Sequence, residues 1–117
     1  MTYEPKLEIY IPIEQCVVGA LYQVSARNFN IGIYRGGNDN CFIGIREKFG
    51  KKRLDNEDHW DNGPPYGTVK PLKCIEQSPF ANLSYDAVYG ADAVCDENYN
   101  NIFAWLEAKE KEYPRGE

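Results

Sequence analysis

Leu7, Ile9, Ile11 and Ile13 alternate with Lys6, Glu8, Tyr10 and Pro12. A period of two predicts a half-buried strand, and Pro12 confines its end to a sheet edge. Val17 to Val24 predicts a second strand, with Gly19 near its start. The strongest local pattern is a pair of alternating runs, Phe29 to Tyr34 and Cys41 to Arg46, around Arg35-Gly36-Gly37-Asn38-Asp39-Asn40. Gly, Asn and Asp tolerate positive φ, so this predicts a hairpin. Strict alternation places Phe29, Ile31 and Ile33 on one face, matched by Cys41, Ile43 and Ile45. Gly32 and Gly44 then share the opposite face, where two missing side chains leave a dent. Such a dent is filled by an aromatic ring or by a closely approaching backbone.

Lys48-Phe49-Gly50-Lys51-Lys52-Arg53 predicts a basic turn leading into Leu54 and an acidic stretch from Asp55 to Asp61. Asp61 to Gly67 is rich in Pro and Gly and predicts an ordered loop. Thr68 to Ile75 predicts the last strand, with Pro71 at an edge or bulge. Beyond it, Ser84 would cap a short helical turn over Tyr85 to Val88. Asp96 or Asn98 would cap a final helix whose Tyr99, Ile102, Phe103 and Leu106 form one stripe, ended by Pro114 and Gly116. Trp105 lies off that stripe, which suggests a second packing partner such as another subunit. The expected fold class is α+β: a small bent antiparallel sheet, or a partly open SH3-like barrel, followed by a C-terminal helix. One domain spans 1–117, β-rich over 7–76 and helical over 84–113.

Composition changes this picture in three ways. At 117 residues, 43% apolar and 26% charged, the chain supports a core and is not broadly disordered. No apolar run reaches the ~18 residues of a membrane span, and Met1 to Lys6 does not read as a secretion signal, so a cytoplasmic protein is expected. The net charge of −5 disfavours general nucleic-acid binding, which depends on Lys and Arg neutralising phosphates. That charge is uneven: residues 41–80 carry seven basic and six acidic groups, while 81–117 carry three and eight. Cys16, Cys41, Cys74 and Cys95 are 25, 33 and 21 residues apart, without the close pair of a zinc knuckle. No metal, disulfide or cofactor is expected, and the thiols read as small hydrophobes.

The densest chemistry is Glu57-Asp58-His59-Trp60-Asp61. His59 is the only histidine, suited to proton transfer near neutral pH, and in a strand Glu57 and Asp61 share its face. These three are the candidate acid–base residues; the simpler alternative is a solvated strand end with Trp60 in the core. Arg46 shares a face with Gly44 and Gly32, so the dent would hold a carboxylate or phosphate forked by its guanidinium. The simpler alternative pairs Arg46 with Glu57 or Asp61 and fills the dent with Tyr34 or Trp60. Lys48, Lys51, Lys52 and Arg53, near Phe49 and Tyr66, suggest a basic-aromatic patch for single-stranded nucleic acid, against the ordinary fate of a solvated basic turn. No nucleophile elbow or phosphate-binding loop is present. Sixteen aromatic rings exceed what such a core commonly needs and point to a binding or self-association surface.

Phe42 to Gly50, His59-Trp60-Asp61 and Pro65 to Val69 together resemble small bacterial proteins of mobile elements, of the integron gene cassette type, over residues 19–75. The resemblance implies a central unit with elaborated ends and a small, cytoplasmic, often oligomeric protein; it implies no activity. The sequence therefore points first to a ligand-binding or protein-interaction module, a self-associating homodimer, with Arg46, His59, Trp60, Tyr66, Tyr34, Gly32 and Gly44 lining its site. A hydrolase or isomerase using His59 with Glu57 or Asp61 is the alternative, and a nucleic-acid module is the third reading. A membrane partner is not expected.

Overall fold

The computed structural model describes residues 10–26, 29–36, 40–57, 69–80 and 97–113. Five strands, β1 (Ala20–Ser25), β2 (Ile31–Gly36), β3 (Cys41–Lys48), β4 (Lys51–Glu57) and β5 (Lys70–Gln77), precede one helix, α1 (Glu97–Glu112). The strands form one sheet in the order β4-β3-β2-β1-β5, every pairing antiparallel. With β4 and β5 at its two edges the sheet is open. The expected α+β class holds, as an open antiparallel sheet followed by one helix rather than a closed barrel.

The predicted hairpin is β2–β3, with Ile33 opposite Ile43 and a register shift beside Gly36. On one face Leu21, Ile31, Ile33, Ile43, Ile45 and Leu54 pack under Tyr99, Ile102 and Leu106 of α1, the stripe that the helical spacing predicts. Phe103 is only half-buried beside them. The helix begins at Glu97, so Asn98 lies within its first turn rather than capping it, and Asp96 falls outside the described residues. Trp105 meets Phe80 of the same chain edge-on at 5.9 Å, under the Lys109 ammonium. Lys109 also bonds Glu76 at 2.9 Å, and that contact raises its pKa.

The other face is apolar too: Ala20, Tyr22, Val24, Phe29, Tyr34, Phe42 and Val69 cluster there with Ile11, Ile13, Cys16 and Ala26. Burial from both sides explains why the middle strands read as nearly continuous apolar runs. Three expectations are corrected on this side of the sheet. Ile13–Gln15 is a turn of 3₁₀ helix rather than strand, and just before it the Ile11 N–H donates to the Pro71 carbonyl of β5 at 2.9 Å. Residues 7–9 lie outside the described residues. Phe29 does not share the Ile31–Ile33 face, because β2 starts only at Ile31 and the chain before it crosses to the far side. The basic segment is not a plain turn: it is the tight end of a further hairpin, β3–β4.

Candidate functional site

In the β3–β4 hairpin only Phe49 and Gly50 separate the strands, at φ of 54° and 76°. Two central residues in the left-handed region define a hairpin turn whose twist matches the strands. Its register pairs Lys48 with Lys51, Glu47 with Lys52, Arg46 with Arg53, Ile45 with Leu54 and Gly44 with Asp55. Alternation then sorts the side chains. Arg46, Lys48, Lys51 and Arg53 stand on the Phe42 face of the ribbon, while Glu47 and Lys52 stand on the face toward α1.

Two like-charge pairs therefore sit directly opposite each other, an arrangement that destabilises a sheet. Arg46 contacts Asp55 at 3.4 Å, with the two side chains 37% and 20% exposed. Among the described residues Lys48, Lys51 and Arg53 have no ion-pair partner. Phe49 projects from the tip, 91% exposed, with the Lys48 ammonium 5.5 Å from its ring centre. A cavity of about 440 Å³ runs along this face, lined by Arg46, Lys48, Phe49, Lys51, Arg53, Leu54 and Asp55.

An aromatic residue at positive φ costs about 1–2 kcal/mol, a conformation that Asn adopts more readily. Phe49→Asn is expected to stabilise the fold by about 0.5–1 kcal/mol, since Phe49 is 91% exposed and its ring meets the Lys48 cation. Thermal unfolding checks this; a lowered midpoint would mean the ring holds the turn together.

The glycine dent exists and is occupied. A Cβ on Gly44 would lie 2.3 Å from Phe29 Cγ, and one on Gly32 3.1 Å from Phe29 Cε2. The Phe29 ring, rather than Tyr34, fills it. Tyr34 is buried alongside, its hydroxyl donating to Asn40 Oδ1 at 2.9 Å, and burial raises its pKa. Tyr22 is raised likewise, by burial against the hydrogen bond it accepts from Val17 N–H at 2.7 Å. Burial pushes the Cys16 thiol up to about 11, while Cys74 is exposed and Cys41 buried. Among the described residues Arg46 pairs with Asp55 rather than Glu57. Glu57 is half-buried at the end of β4, opposite Phe42.

Of the expected ligand-site residues, Gly32, Gly44 and Tyr34 belong to the core, and Arg46 stands two residues along β3 from Gly44, in the hairpin. His59, Trp60, Asp61 and Tyr66 lie outside the described residues, as do the turn expected over 85–88 and Cys95. Lys52, counted with the basic patch, points to the other face. The sequence signal for the left-handed Phe49 is Phe-Gly between two cationic strand ends, a two-residue loop. On the far face a second cavity of about 520 Å³ is lined by Asn30, Ile45, Glu47, Lys52, Glu107, Glu110 and Lys111, charges of both signs.

Among the described residues no helix is long and apolar enough to cross a membrane. Comparisons of the chain with protein-family models, with curated proteins and with solved structures yield no match.

Proposed function

We propose that the chain is a binding module that holds an anionic ligand on the Arg46–Lys48–Lys51–Arg53 face of the β3–β4 hairpin. One observation carries this reading: three local costs coincide at one place. An aromatic ring is left in water, the same residue adopts a left-handed backbone, and two pairs of cations face each other. Strained backbone and broken local rules cluster where a protein contacts something else. A bound anion would relieve the cation repulsion, and an apolar or planar group on it would cover Phe49.

Tripolyphosphate, an anion without rings, tests the surface directly. Amide NMR shifts on titration at low salt are expected over residues 46–53. Lys51→Glu should weaken binding about tenfold or more, the scale of one charge-assisted contact. Shifts spread elsewhere, or unchanged affinity in Lys51→Glu, would remove the proposal.

The same reading keeps the protein cytoplasmic, self-associating and akin to the small mobile-element proteins it resembles. Support for self-association comes from the aromatic surplus and from the adjacent exposed pair Val17 and Val18 before β1.

A further inference from the structure

We infer that the anion taken by this hairpin is the backbone of a single-stranded nucleic acid, with one base stacked on Phe49; this rests on the binding surface proposed above. The four cations are not a diffuse patch. Lys48–Lys51 and Arg46–Arg53 are successive same-face pairs of one ribbon. Their Cα atoms lie about 5.5 Å apart across the strands and about 7 Å apart along them. A short ladder of positive charge matches a ligand whose negative charge repeats along an extended chain. At the open end of that ladder stands a fully wet aromatic ring, already in contact with a cation. Cationic grooves combined with exposed rings are how proteins hold unpaired strands, because every base offers a stacking face.

Other polyanions fit less of the surface. A membrane met by the hairpin tip would reach Phe49, Lys48 and Lys51, but Arg46 and Arg53 stand two residues back, projecting from the ribbon's face. An acidic peptide supplies charge without a planar partner for Phe49. In a duplex the bases already stack on their neighbours, so the ring has nothing to cover.

The test is fluorescence anisotropy of a labelled oligothymidylate against the full chain over a salt series. Backbone contacts from Lys48, Lys51 and Arg53, the cations not already paired as Arg46 is with Asp55, predict that log K falls against log salt with a slope of about −2. Lys51→Ala should flatten that slope by about 0.7, whereas Lys52→Ala, on the opposite face, should leave it unchanged. Phe49→Ala should lower affinity about tenfold with the slope intact, the signature of lost stacking rather than lost charge. Phe49 is exposed, so this variant keeps its fold, and Phe49→Asn serves as the control for the turn itself. A duplex bound as tightly as the single strand, or full affinity in Phe49→Ala, overturns the inference. If tripolyphosphate still shifts residues 46–53 in that case, the anion surface stands and only its ligand is wrong. If neither probe binds, both readings fall.

Discussion

Gly44→Ala is expected to destabilise the fold by about 3 kcal/mol or more, the upper end of what overpacking a core costs. The new methyl would lie 2.3, 2.5 and 2.6 Å from Phe29 Cγ, Cδ2 and Cδ1. These atoms are the root of the ring and cannot swing aside as a flexible chain end would. Replacing glycine in a strand ordinarily gains about 0.5–1 kcal/mol by restricting the unfolded chain, so the clash decides the sign. A denaturant midpoint as high as that of the parent protein would show that the ring is not seated there. Phe29→Leu combined with Gly44→Ala should cost less than the two changes added together, because each relieves the other at a shared contact.

Tyr99→Phe is expected to cost about 2 kcal/mol, although it removes a single oxygen. Tyr99 stands on α1 with its ring buried, and its hydroxyl accepts the Leu54 N–H of edge strand β4 at 2.8 Å. Phenylalanine would keep the packing and strand that donor in a buried position, which costs roughly 1–3 kcal/mol. Chemical denaturation gives the loss, and faster hydrogen exchange at the Leu54 amide locates it. An unchanged midpoint with unchanged exchange would mean that water serves the amide equally well.

The parts of the molecule legible in the sequence are those with many apolar residues in one period. The β2–β3 hairpin announced itself through Ile31, Ile33, Ile43 and Ile45 around a Gly/Asn/Asp turn, and α1 through Tyr99, Ile102 and Leu106. Strand β4 did not, because Leu54 is the only apolar residue between Lys51 and Glu57; its pairing with β3 supplies what its pattern lacks. Alternation carried through Asn30 puts Phe29 with Ile31 and Ile33, whereas the chain crosses over just before Ile31. The dent at Gly32 and Gly44 followed correctly from parity, but parity says nothing about which ring fills it. For the same reason Arg46 could be placed on its face from sequence, while its partner Asp55 needed the register. Phe49 was the least legible, since left-handed backbone is usually marked by Gly or Asn and here occurs at a bulky ring.

The hydrogen bonds along the outer side of β4 bear on how this protein behaves when crowded. Leu54 and Asn56 belong to the pairs whose backbone N–H groups turn away from β3, and both are occupied: the first by Tyr99, the second by the Asp55 carboxylate at 2.9 Å. A strand from another molecule arriving at this margin would find those donors spent and Lys51, Lys52 and Arg53 flanking them. Sheet growth from copy to copy, the first step toward fibrils, is therefore hindered at the Leu54–Asn56 stretch of the β4 border.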